Sequence, residues 1–208
     1  MVYRRSVLSV FAAFIFAIGV CEVPSAQADT VEVRASAFIE SLAERAITAL
    51  TNETVSRDER VLRFRELLNE NFAVNTIGRW VLGRYWKRAS KEQQNEYLRL
   101  FEDLIATTYV DRFEAYSDEE IIVSKAEAGT GNDLLVKSTI SRPAGGQAVK
   151  VSWRVREHDE KFKIVDVVVE GVSMGQTQRS EFASVIRRNG GTVEGLLSKL
   201  RGDLKKGA

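Results

Sequence analysis

The 208-residue chain carries 30 Lys and Arg against 29 Asp and Glu, with one cysteine and one histidine. This near-neutral balance argues against a general nucleic-acid binder, whose affinity depends on a basic surface that neutralises phosphates. A lone Cys21 excludes an internal disulfide framework, and a lone His158 excludes a histidine-rich metal site.

The first element to read is a leader. Arg4 and Arg5 form a positive head, Ser6 to Val20 is an almost unbroken apolar run, and Ala26-Gln27-Ala28 supplies a small-x-small cleavage site. That layout is a secretory signal over residues 1–28, and its apolar run is too short for a comfortable membrane span. Arg4-Arg5-Ser6-Val7-Leu8 also resembles a twin-arginine signal, which changes the export route and not the destination. Lipidation of Cys21 is disfavoured by the β-branched Val20 before it, where a lipoprotein signal wants a small residue. Removing Arg4, Arg5 and Glu22 with the leader leaves 28 basic and 28 acidic residues and no cysteine. Residues 29–208 are then expected to form one domain, held by an apolar core without covalent staples.

Helical signals come next. Val31 to Leu50 carries Val33, Phe38, Leu42, Ala46 and Leu50 at helical spacing. Ser56-Arg57-Asp58-Glu59 has the pattern of a capping box and opens a helix with Val61, Phe64, Leu67, Leu68 and Phe72 on one side. Val74 to Lys87 is expected to hold one or two short helical turns rich in large apolar groups. A second box, Ser90-Lys91-Glu92-Gln93, opens a long amphipathic helix lined by Tyr97, Leu98, Phe101, Leu104, Ile105, Tyr109 and Phe113.

The pattern changes near Tyr116. Glu120 to Lys125, Asp133 to Ser141, Gln147 to Glu157 and Lys161 to Val169 are β-branched segments. Gly129-Thr130-Gly131-Asn132, Pro143-Ala144-Gly145-Gly146 and His158-Asp159-Glu160 separate them. Connections this short favour an antiparallel four-stranded meander, because parallel crossovers need a dozen or more residues. In the third strand Val149, Val151, Trp153 and Val155 face one way, and Lys150, Ser152, Arg154 and Arg156 the other. In the fourth, Phe162 and Ile164 share a face, and the apolar set then shifts to Val165, Val167 and Val169. Either a bulge or burial of both faces accounts for this. Phe182, Val185 and Ile186 precede the helix stop Asn189-Gly190-Gly191, and Val193, Leu196, Leu197, Leu200 and Leu204 mark a final amphipathic helix. The fold class is α+β.

Catalytic chemistry finds little purchase. His158 sits at a hairpin tip among Glu157, Asp159 and Glu160, a solvated position. Asp166, inside Ile164-Val165-Asp166-Val167-Val168, is either a structural hydrogen-bond acceptor or a base with a raised pKa. No phosphate loop, dinucleotide fingerprint or metal-spaced cluster is present, so no cofactor is expected. Trp80, Tyr85, Trp86, Phe101, Tyr109, Phe113, Trp153 and Phe162 all fall in segments expected to face one interior, where they either fill a core or line a cavity.

Residues 77–90, Ile77-Gly78-Arg79-Trp80-Val81-Leu82-Gly83-Arg84-Tyr85-Trp86-Lys87-Arg88-Ala89-Ser90, resemble a signature of the MlaC, or toluene-tolerance, family. Gln93, Phe101, Leu104 and Tyr109 are similar to the helix that follows it. Phe162-Lys163-Ile164-Val165-Asp166-Val167-Val168-Val169-Glu170-Gly171-Val172-Ser173 resembles the family's last strand, with Arg179, Phe182 and Ile186 matching the helix beyond. The resemblance implies a periplasmic carrier of phospholipid, working between an outer-membrane lipoprotein complex and the lipid-handling subunit of an inner-membrane ABC transporter. It also implies a four-stranded antiparallel sheet packed against several helices around an apolar lipid pocket, with the headgroup outside. A related branch implies hopanoid or another polycyclic ligand as an alternative.

The lining expected for such a pocket is a sheet wall of Val149, Val151, Trp153 and Val155. It faces a helical wall of Trp80, Val81, Tyr85, Phe101, Ile105 and Tyr109. Phe162, Ile164, Val167, Val169, Val172 and Met174 extend or close it, and Arg79, Arg84 and Lys87 are candidates for headgroup contact. Two readings from other classes compete: a cone-shaped α+β cavity enzyme with Asp166 as general base, and a pure interaction module with every aromatic packed.

Overall fold

A computed structural model of the chain describes residues 30–51, 54–113, 119–141, 145 and 147–206. The signal at residues 1–28 and Cys21 lie outside these residues, as do Phe113's side chain, Pro143, Ala144 and Gly146 of the second turn.

Four helical segments come first. α1 (Val31–Leu50) is capped by Thr30, and α2 (Arg57–Asn71) by Ser56, whose hydroxyl accepts from the Glu59 amide at 3.3 Å. α3 (Val74–Leu82) passes into a 3-10 turn over Gly83–Arg88. α4 (Lys91–Phe113) opens on a complete capping box: the Gln93 amide donates to the Ser90 hydroxyl, and the Ser90 amide to Gln93 Oε1, both at 3.2 Å. Gly78 lets α3 lie against α4, since a Cβ there would stand 2.9 Å from a Leu98 methyl and 3.1 Å from the Phe101 ring. Tyr97, fully buried, crosses the same contact and donates to the Gly78 carbonyl at 3.0 Å.

The sheet is an antiparallel meander of β1 (Glu120–Ala128), β2 (Asp133–Ser141), β3 (Val149–His158) and β4 (Lys161–Val169). Four strands were expected; a fifth, the two-residue β5 (Val172–Ser173), pairs with β4 across a Glu170-Gly171 turn. Its brevity explains why residue pattern alone does not show it. The shift in β4 is a bulge: Ile164 pairs with Val155 and Asp166 with Arg154, leaving Val165 as the extra residue. The bulge keeps Phe162, Ile164, Val167 and Val169 on one face. α5 (Met174–Arg188) follows directly, and α6 (Val193–Lys206) follows a stop in which the Gly191 amide bonds the Ile186 carbonyl at 2.9 Å.

The β3–β4 turn places positive φ on two non-glycine residues, Asp159 at 49° and Glu160 at 60°. A two-residue hairpin of this type prefers Asn-Gly because a Cβ is strained there. Glu160→Gly is therefore expected to raise stability by about 0.5–1 kcal/mol, read as a higher urea midpoint at unchanged slope.

The apolar residues form two clusters. One is helical and joins α2 through α6, with Val81, Tyr85, Tyr97, Phe101, Ile186 and Leu197 at its centre. The other lies between α1 and the sheet, around Ile39, Leu42, Leu67, Val136, Val155 and Ile164. Phe72 and Ala49 pack against both. The α2–α3 junction is also stitched to β4, the Ala73 amide donating to the Ile164 carbonyl at 2.9 Å.

α4 and α6 are tied by Arg201, which grips Glu96 through two bonds of 2.7 and 2.8 Å and reaches Glu194 at 2.8 Å. The guanidinium holds both carboxyls below the usual carboxylate range. A depressed folded-state pKa stabilises above the unfolded pKa and is lost as pH falls through the folded value. Thermal melts from about pH 6 to pH 3 should thus show a declining acid limb, and Arg201→Gln should flatten part of it. These groups are solvent-exposed, so the effect is modest.

Candidate functional site

The register builds one continuous apolar face on the sheet. Ile121 stands opposite Ile140, Ile140 opposite Val149, Val151 opposite Val169, and Trp153 between Val136 and Val167. α1 covers this face at the end of Leu134, Val136, Val155 and Ile164. Toward the other end, Ile121, Ile140, Val149 and Val169 are half-buried and, like the buried Val151, belong to neither packed cluster.

The polar atoms on this face are satisfied among themselves. Trp153 Nε1 donates to the Ser138 hydroxyl at 3.0 Å, and Ser138 donates to the Val151 carbonyl at 3.2 Å. Trp153 therefore shows only ring carbon, and buried Ser138 leaves no orphan group. Such a surface can bury hydrocarbon and offers no nucleophile.

The expectation of one shared interior needs correction. Val81, Tyr85 and Phe101 are buried in the helical cluster, and Ile105 and Tyr109 pack against it. Val155 and Ile164 are buried in the sheet cluster, with Trp153, Phe162 and Val167 packed against it. Trp80 turns outward and is 46% exposed, and Val172 is 55% exposed. Met174 is half-buried at the start of α5. The cause is geometric: α3 presents Val81 and Leu82 to α4 and α5, so Trp80 must leave on another side of the same helix. Ile121, Ile140 and Ser138 are members of the face that residue pattern did not single out. The alternation Leu134, Val136, Ser138, Ile140 held the signal, masked by the serine.

Asp166 is a structural residue. Its Oδ1 accepts from the Val167 amide at 2.9 Å and the Gly175 amide at 3.1 Å, and its Oδ2 from the Ser173 hydroxyl at 2.7 Å. Ser173 in turn caps α5, accepting from the Gln176 amide at 3.0 Å. The carboxylate thus sits at a helix N-terminus, where amides and the helix dipole favour negative charge. Both oxygens are engaged in joining the end of β4 to the start of α5. His158 lies at the exposed β3–β4 hairpin, against Asp159. Among the described residues no three His, Cys, Asp or Glu side chains are grouped to hold a metal.

Of the headgroup candidates, Arg79 lies 5.2 Å over the Trp86 ring and Arg84 5.0 Å over the Tyr85 ring. Lys87 is exposed in the 3-10 turn. Arg84 lines a hollow of about 280 Å³ together with Tyr85, Arg179 and Arg187.

Comparison with known proteins sets this geometry in context. The family model described as MlaC protein matches residues 40–202. The intermembrane phospholipid transport system binding protein MlaC of Haemophilus influenzae is 28% identical over 127 residues, 60% of this chain and 58% of that protein. The toluene tolerance protein ttg2D of Pseudomonas putida is 23% identical over 123 residues, 59% and 57% of the two chains. The matched stretch thus spans less than two thirds of either relative. A phospholipid-binding protein from Ralstonia solanacearum, solved in complex with a phospholipid, superposes with a TM-score of 0.71 at 21% identity, covering 83% of this chain and 98% of that one. That likeness establishes the α+β fold.

Proposed function

Because the chain belongs to the MlaC family, we propose that it is a phospholipid carrier whose acyl-chain site is the half-covered inner face of the sheet. The observation that supports this is the divided core: apolar residues around Val149, Val151 and Val169 lie on a satisfied, unreactive face and join neither packed cluster. Moving a chain of about fifteen methylenes through water costs on the order of 12 kcal/mol, so a carrier must supply an apolar wall in place of the bilayer. The names of the two relatives and the phospholipid in the Ralstonia structure point the same way.

In this reading residues 1–28 are a cleaved export signal, residues 29–208 one lipid-binding domain, and the periplasm its compartment. Its partners are the lipid-handling subunit of an inner-membrane ABC transporter and an outer-membrane lipoprotein complex. The function needs no catalysis, and Asp166→Asn should change no turnover. The sheet wall is proposed as Val149, Val151, Trp153, Val167 and Val169, with Trp80 and Met174 at its margin.

The test is to purify the protein under mild conditions and analyse its organic extract by mass spectrometry. Stoichiometric phospholipid, and uptake from labelled vesicles, are expected. A polycyclic lipid such as a hopanoid in its place would redirect the ligand class. Finding neither lipid nor uptake would remove the proposal and leave a packed interaction module.

A further inference from the structure

The arginines of this protein are held in different ways, and some outside the hollow, Arg79 over the Trp86 ring among them, also form no ion pair among the described residues. Arg34, Arg45, Arg57, Arg65, Arg156 and Arg201 each hold a carboxylate within ion-pair distance. Arg84, Arg88, Arg179 and Arg187 pair with no carboxylate among the described residues. They gather where the 3-10 turn meets α5, and three of them line the 280 Å³ hollow. By contrast, the hollow between α1 and α2 contains Arg45 and Arg63, and those pair with Glu70 and Glu59.

Aromatic faces and backbone hold these guanidiniums in place of acids. Arg179 stacks 5.0 Å over Trp80 and donates to the Trp80 carbonyl at 3.0 Å. Arg84 and Arg88 lie 5.0 and 5.9 Å over the Tyr85 ring, and Arg84 donates to the Tyr85 hydroxyl at 3.1 Å. The backbone makes room for them: Gly83 has φ +58°, and a Cβ there would stand 3.0 Å from Arg179 Cζ and Nη2. Tyr85 is 4% exposed, and the neighbouring arginines hold its phenol below the ordinary tyrosine range. Unpaired guanidinium forks thus converge on one concave space while their own charges repel. A tetrahedral oxyanion offers enough oxygens for three such forks. A carboxylate offers two.

We propose that this hollow is a phosphate site, filled by the phosphate of an anionic lipid headgroup or by a free phosphate ion. The lipid source rests on the carrier reading; the free-ion source does not. The site deepens that reading by giving the protein a means to select or dock lipid by its phosphate, separately from the wall that takes acyl chains.

The experiment has two arms on the whole purified protein and its Arg187→Gln and Arg187→Lys variants. Arg187 is exposed and makes no structural bond among the described residues, so folding should be unaffected. The first arm titrates inorganic phosphate, and acetate as control, at constant ionic strength by calorimetry. The second measures flotation with phosphatidylcholine vesicles, with and without one-third phosphatidic acid (about 30 mol%, a chosen composition that gives strong anionic charge). Saturable phosphate binding is expected, weakened about tenfold in Arg187→Gln and partly restored in Arg187→Lys, which keeps the charge but not the fork. Selective flotation on acidic vesicles, weakened by the same substitution, identifies the headgroup as the source. Phosphate binding without that flotation identifies the free ion, and flotation without phosphate binding identifies the headgroup alone. Equal behaviour of wild type and Arg187→Gln in both arms, or acetate bound as tightly as phosphate, overturns the proposal. Failure of the carrier reading would show as wild-type extracts without lipid, whereas failure of this site would show in the phosphate and flotation ratios between wild type and Arg187→Gln.

Discussion

Val169→Trp is expected to lower the phospholipid loading of the purified protein on the order of fifty-fold, with little change in melting temperature. Val169 lies opposite Val151 on the inner sheet face, is half-buried and belongs to neither packed cluster. An indole there should occupy the room of about three methylenes of lipid, each contributing about 0.8 kcal/mol of burial. The loss is then about 2.4 kcal/mol, which corresponds to that factor in affinity. β4 should remain intact, because tryptophan is well accepted in strands. Quantitative mass spectrometry of extracted lipid, with calorimetry of the same sample, provides the check. If loading persists while the melting temperature falls steeply, the residue is packed core and the acyl-chain site lies elsewhere.

The second large effect is on stability. Asp166→Ala should destabilise the fold by about 3 kcal/mol, because the Val167 and Gly175 amides and the Ser173 hydroxyl lose a charged acceptor together. The consequence reaches beyond the strand. Ser173 caps α5, and α5 carries Phe182, Val185 and Ile186 into the helical cluster, so the carboxylate fixes where that cluster sits against β4. Gly175 is part of the same joint: a Cβ there would lie 3.1 Å from Asp166 Oδ1 and 3.2 Å from the Trp80 ring. Asp166→Asn should cost less, since an amide oxygen still accepts one or two of these bonds without the charge. Denaturant unfolding of the three proteins orders them wild type, Asn, Ala; an alanine variant as stable as wild type would contradict the structural role.

Residue pattern alone carried the helices and four of the strands, although β1 runs on to Ala128 where an end at Lys125 was expected, and β3 begins at Val149 where Gln147 was expected. The Ser56 and Ser90 boxes, the Asn189-Gly190-Gly191 stop and the turn between β1 and β2 are local devices, satisfied by bonds within a few residues. Local devices are legible because their chemistry is written in neighbouring letters. The break in the two-residue alternation of β4 left a bulge and burial of both faces open, and the register decides for a bulge at Val165. β5 did not, because a two-residue strand has no period to detect.

The candidate site was legible only in part, because a list of apolar residues does not say which share a cluster. Val81 and Val155 look alike in sequence, yet one is buried among helices and the other against α1. Likewise Arg84 and Arg187 stand more than a hundred residues apart in the chain, with Arg179 between them, and only the packing of α3 and its 3-10 turn against α5 brings them to one hollow. Composition and short-range order were enough for the helices and four of the five strands. Tertiary structure alone decided the division of the core, the structural role of Asp166 and the meeting of unpaired arginines. Each depends on contacts between distant segments, whose partners are chosen by packing and charge across the whole molecule.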